Sequence, residues 1–182
     1  MIILGIDPGS RITGFGLVKK IGNRNVHVEN GSLYLKDTDT FPKRLVMLNS
    51  ELNNIITKFK PDMLVVENIF YHKNPKSIQK LGEVRGVVIL TAAMAGLPVY
   101  EYTPLEIKKA VTGFGSATKE QMQFMVRRLL ALPDLAEENA SDALGIALCH
   151  ANTQKTQTAG SKIERATLNP RQEILKRTSF YR

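Results

Sequence analysis

The chain opens on an apolar run, Ile2–Asp7 (IILGID), that stops at a carboxylate. Pro8-Gly9-Ser10 reads as a turn and residues 14–18 as the returning strand. Residues 26–35 supply a third strand, closing an antiparallel unit. After Phe41-Pro42 the period lengthens: Leu45, Leu48, Leu52, Ile55, Ile56 and Phe59 keep the 3.6 spacing of a helix until Lys60-Pro61-Asp62 stops it. Residues 63–66 form an unbroken apolar run, the pattern of a buried parallel strand, and it too ends in a carboxylate, Glu67. Asn74-Pro75 starts a second helix, asparagine capping and proline in the first turn, which runs to Ala95-Gly96. Residues 97–100 give a last short strand.

The remaining third reads as helical. Thr103-Pro104 begins a short helix that Gly113-Phe114-Gly115 breaks, and Met122, Met125, Val126, Leu129 and Leu130 mark the next, with Thr118 and Gln121 as its capping box. A final helix carries Ala140, Ala143, Leu144, Ala147 and Leu148 on its apolar face. The order βββαβαβ followed by helices, with no internal repeat, describes one α/β domain over residues 1–151 and a tail over residues 152–182.

Composition narrows the class. A chain of 182 residues, 43% hydrophobic and 23% charged, is long enough to bury a core and ordinary for a soluble protein. Its apolar runs are far shorter than the ~18 residues of a membrane helix, and the N-terminal segment has neither a basic start nor a small-residue cleavage site, so no membrane role and a cytoplasmic location are expected. The single cysteine, Cys149, agrees with a reducing compartment and reads as buried filler in an apolar helix. The net charge of +8 favours a polyanionic partner. Five of those charges fall after residue 150, where seven basic and two acidic residues sit in an apolar-poor stretch that reads as a mobile or weakly helical tail.

Candidate chemistry comes from the carboxylates. Asp7 and Glu67 terminate apolar strands, where α/β sheets place their ligand crevices, and a carboxylate there is costly unless paired, hydrogen-bonded or bound to a cation. Asp7 could instead cap the Pro8-Gly9-Ser10 turn. With Asp142 at the start of the final helix, the three acids form a cluster that a hard divalent cation such as Mg²⁺ would stabilise. Two ions held by shared acids can activate a water and stabilise the leaving oxygen in phosphodiester cleavage.

Five blocks in order, IILGIDPGSRITGFGLV, VVENIF, KLGEVRGV, GFGSATKEQMQFMVRRLL and SDALGIALCHA, resemble the RuvC family of Holliday junction resolvases. The resemblance implies a ribonuclease H-like fold, a mixed five-stranded sheet flanked by helices. It further implies a homodimer that cuts four-way DNA junctions by symmetric paired nicks in recombination and repair, using Mg²⁺ with Mn²⁺ as a substitute, beside a branch-migration helicase complex. Asp7, Glu67 and Asp142 fall on the family's catalytic, metal-binding acids. Phe70 falls on an aromatic near the junction centre, and Lys108 and Lys119 on lysines that handle DNA. Read as residues alone, Phe70 is first a core side chain closing its strand and the lysines first an ordinary solvated helix face; a platform for an unpaired base and phosphate contacts are the second readings.

Asn139 departs from the family, which carries an acid or a histidine at that position. Asparagine offers a carbonyl oxygen but no charge and no base, and it is a good helix N-cap, which would put Asp142 at the third helical position. Three explanations stay open for the catalytic and metal-binding position 139: weaker ligation by asparagine, a rearrangement that brings in Glu138, or a deliberately inactivated chain. A junction-binding module without cleavage is therefore one alternative function, and an actin-like phosphotransferase, from the hairpin between Asp7 and Gly16, is a lower one. Gly82 and Gly86, four apart on one helix, call for close packing against either a partner subunit or the chain's own sheet.

Overall fold

The computed structural model describes residues 1–35, 39–68 and 75–153; Phe70, Asn74 and the tail after Thr153 lie outside the described residues. The strands are β1 (Ile2–Asp7), β2 (Ile12–Ile21), β3 (Arg24–Tyr34), β4 (Met63–Glu67) and β5 (Val99–Tyr102). The helices are α1 (Phe41–Phe59), α2 (Pro75–Met94), α3 (Pro104–Thr112), α4 (Lys119–Leu130) and α5 (Glu138–Thr153). The strands form one sheet in the order β3-β2-β1-β4-β5. β1, β2 and β3 pair antiparallel, whereas β4 joins β1, and β5 joins β4, in parallel. This is the mixed five-stranded sheet flanked by helices that the sequence implied.

Strand parity divides the core. Leu4, Ile6, Leu17, Leu64 and Val66 point to one face, where α1 and α2 cover them. Ile3, Val18, Met63 and Val65 point to the other, under α3, α4 and α5. Because successive side chains alternate between faces, Asp7 and Glu67 belong to the second face. Both acids therefore emerge beneath the helix that carries Asp142.

Boundaries differ from the periodic reading where pairing, not side-chain pattern, decides them. β2 and β3 extend to Ile21 and Arg24 because their ladder runs on through Lys19↔Val26 and Lys20↔Asn25, and Gly22 makes the turn at φ 57. Polar positions such as Lys19 carry no apolar signal, so sequence alone cuts the strands short. β5 starts at Val99 because the Leu97 N–H is taken by Ala92 O at 2.9 Å, closing α2, while Val99 pairs with Leu64. Thr118 and Gln121 form their capping box, and Thr103 with Glu106 forms a second one on α3. Cys149 is fully buried, as its apolar neighbours required.

Candidate active site

Position comes before chemistry in this site, and glycine sets it. Gly5 and Gly16 face each other across β1 and β2, and Gly14 pairs with Asp7. These three lie directly under α5. A Cβ on Gly14 would collide with the Asn139 carbonyl oxygen, one on Gly5 with the Ala143 carbonyl oxygen, and one on Gly16 would meet the Leu144 N at 2.7 Å. The stripe lets the helix backbone rest on the strand backbone. The approach fixes Asp142 against the ends of β1 and β4 without any long side chain between.

The turn after β1 is fastened by Thr13, not by Asp7. The buried Thr13 hydroxyl donates to Gly9 O at 3.0 Å and accepts from the Gly9 N–H at 3.3 Å. Asp7 accepts no hydrogen bond among the described residues, so the turn-capping reading of this acid fails and its carboxylate is left facing the cleft.

That cleft, about 230 Å³, is lined by Asp7, Glu67 and Asp142 together with Lys108 and Lys119, and it is backed by Pro104, Ile107, Met122 and Ile146. The apolar backing makes ionisation expensive. Burial first, then the charges of Asp142 and Glu67, raises the Asp7 carboxyl to about 7. Glu67 is raised by burial and by Asp142, with Lys108 and Lys119 pulling the other way. Asp142 is raised by burial and held back by Lys119. Three acids raised by burial in one cleft, Asp7 most of all, mark a candidate functional site.

Lys119, the first residue of α4, reaches across to α5. Its ammonium pairs with Glu138 Oε1 and lies 3.3 Å from Asp142 Oδ2. Among the described residues no three His, Cys, Asp or Glu side chains close up into a ready metal cage. The Lys119 ammonium serves as counter-ion for one of the cleft acids, Asp142. The donor set itself is oxygen-only and half-buried, which fits a hard divalent cation.

Asn139 is not the helix cap. The chain enters α5 at Glu137, whose carbonyl accepts the Ser141 N–H at 2.7 Å and whose carboxylate accepts the Tyr34 hydroxyl. Asn139 is the second residue of the helix and Asp142 the fifth. Of the two readings open for Asn139, the cap is thereby excluded, because residues 138 and 139 already sit in the first turn. The Asn139 carboxamide has no hydrogen-bond partner among the described residues. Glu138, one step earlier, instead brings its charge to bear on both Asp7 and Asp142. The sequence left a rearrangement bringing in Glu138 open; in the structure Glu138 pairs with Lys119, which reaches across from α4.

A family model described as "Crossover junction endodeoxyribonuclease RuvC" matches residues 3–150. The chain belongs to the RuvC family. A Crossover junction endodeoxyribonuclease RuvC from Geotalea uraniireducens (strain Rf4) is 52% identical over 153 residues, 84% of this chain and 90% of that protein. Thermus thermophilus RuvC in complex with Holliday junction substrate superposes with a TM-score of 0.82 at 31% identity, over 87% of this chain and 97% of the other. The yeast mitochondrial Holliday junction resolvase Ydc2 shares the fold at a TM-score of 0.64 and 16% identity, over 84% and 78% of the two chains. The RuvC fold is ribonuclease H-like. The family is described as an endonuclease, so neither binding without cleavage nor an actin-like phosphotransferase draws support from it.

Proposed function

We propose that this chain is a structure-specific endonuclease that resolves Holliday junctions by symmetric paired nicks, serving homologous recombination and DNA repair. The observation that carries the reading is the meeting of Asp7, Glu67 and Asp142 with Lys108 and Lys119 in one cleft of a RuvC-family chain. The three acids would hold Mg²⁺, or Mn²⁺ in its place. When bound, the metal supplies an activated water and charge stabilisation at the scissile phosphate. The protein's own part is to bring its half-buried carboxylates to one cleft from strand ends and helix backbone. Lys108 and Lys119 contact backbone phosphates as point charges that position without reading sequence. Position 139 contributes at most a neutral oxygen, so Asp7, Glu67 and Asp142 carry the reaction and Asn139 stands beside them. Phe70 offers a stacking platform for an unpaired base at the junction centre.

Symmetric nicking needs two sites, and α2 offers the face to bring them together. A Cβ on Gly82 or Gly86 would meet nothing within 4 Å, so these glycines do not pack on the chain's own sheet. Leu90 and Met94 continue the same stripe, 56% and 64% exposed. A homodimer built on this stripe has twofold symmetry matching that of a four-way junction. Residues 1–151 form the nuclease domain, with residues 152–182 as a basic tail; the branch-migration helicase complex would act on the same junction. No helix among the described residues is long and apolar enough to cross a membrane, and the buried lone cysteine fits work in the cytoplasm.

The test is a synthetic four-way junction incubated with the full chain, with and without Mg²⁺, beside Asp7→Asn and Asn139→Asp. Metal-dependent paired nicks that Asp7→Asn abolishes support the reading. Absence of junction binding by every form refutes it. Junction binding without nicks, restored by Asn139→Asp, would show a site one charge short.

A further inference from the structure

Lys119 is divided between two carboxylates of unequal standing. Asp142 lines the cleft and Glu138 does not. Glu138 is the more exposed of the two, 59% against 30%, and makes the closer contact with the ammonium. An ammonium resting on Asp142 must be displaced, or tolerated as a like charge, whenever a divalent cation uses that carboxylate. A second acceptor on the outer side of the cleft lowers the cost of that displacement.

We propose that Glu138 is a positioning residue for Lys119, drawing its ammonium away from Asp142 and so setting how well the cleft competes for a divalent cation. The proposal rests on the metal-binding reading given above and adds to it a residue outside the five sequence blocks. Lys119 serves as the resident counter-ion of Asp142, and Glu138 is the group that keeps this counter-ion loosely held. The geometry explains why a mostly exposed acid one residue before Asn139 is tied to the first residue of a different helix. It also separates two roles that the sequence left merged: Glu138 acts through Lys119 and does not replace the acid missing at position 139.

The experiment measures Mn²⁺ binding to the full chain without DNA, by the electron paramagnetic resonance signal of free aqueous Mn²⁺, in 150 mM KCl to screen through-space charge. Four proteins form a cycle: parent, Glu138→Gln, Lys119→Met and the double variant, with Asp7→Asn as control. Removing the competing ammonium with Lys119→Met should tighten Mn²⁺ about three- to tenfold, and Glu138→Gln, which leaves the ammonium to Asp142, should weaken it by a similar factor. In the Lys119→Met background the effect of Glu138→Gln should shrink to about twofold or less. Equal weakening in both backgrounds would make Glu138 a direct ligand and overturn the proposal, as would no change in either. A Mn²⁺ site that persists in Asp7→Asn would instead refute the underlying metal-site reading. Both substituted side chains are substantially exposed, so folding is not at stake, and circular dichroism melts confirm it.

Discussion

Asp7→Asn should stabilise the metal-free protein, and the amount follows from the cleft. The folded carboxyl titrates at about 7, against 3.8 when unperturbed, chiefly through burial and then through Asp142 and Glu67. Between these values the unfolded chain has lost a proton that the folded chain keeps. Stability from this group is therefore fully present below about pH 4 and falls as pH rises to about 7. The gap corresponds to about 4 kcal/mol at pH 8. A buried carboxamide without a partner gives back about 1–2 kcal/mol of this, leaving about 2–3 kcal/mol in favour of the variant. For a chain of this size that is roughly 5–10 °C in Tm. Calorimetric melts in EDTA at pH 5 and pH 8 measure it directly: the variant should lead clearly at pH 8, and its lead should shrink toward pH 4. Adding Mg²⁺ at pH 8 should raise the parent and leave the variant almost unmoved. A variant no more stable than the parent at pH 8, or a difference independent of pH, would refute the placement of Asp7 in a buried, repelling cluster.

Three further outcomes follow from single contacts. Gly14→Ala forces α5 off β2, costing about 1–3 kcal/mol by overpacking and more than about tenfold in junction nicking through misplacement of Asp142; melts and a nicking assay with parent-like values would sink the glycine-stripe argument. Lys108→Met removes a charge that lowers the Glu67 pKa, so that carboxyl rises further and the acidic limb of the pH–rate profile should move to higher pH, with an unmoved limb as the contrary result. Leu90→Glu places a charge on the open α2 stripe and should turn dimers into monomers in light scattering; an unchanged dimer would send the interface elsewhere.

Most of the fold was legible because it rests on periods. The apolar runs ending at Asp7 and Glu67 have no reading other than buried strands, and the 3.6 spacing from Leu45 to Phe59 has none other than a helix. What stayed hidden depends on backbone meeting backbone. Gly5, Gly14 and Gly16 look like weak points in strands until α5 is laid across them, and their pairing register is set by a ladder that side-chain pattern does not encode. At α5 the sequence left Asn139 open between cap and site, because local preference favours asparagine at a cap, whereas the helix begins at Glu138 with Glu137 held by the Tyr34 hydroxyl before it.

The packing of α5 on Gly14 bears on how position 139 can be interpreted. Because the Asn139 carbonyl lies against Gly14, the backbone there cannot adjust, and side chains at 139 project from a fixed origin. Exchanging asparagine for aspartate therefore changes charge with little change of shape. On the metal-binding reading proposed above, Asn139→Asp would add a negative charge beside Gly14, the sheet partner of Asp7, raising the Asp7 carboxyl further and strengthening the pull on a divalent cation. On that reading stability of the metal-free fold and metal affinity are opposed at this position. Thr13, Gly14 and the apolar backing from Ile107, Met122 and Ile146 hold Asp7, Glu67 and Asp142 in one cleft without using the side chain at 139.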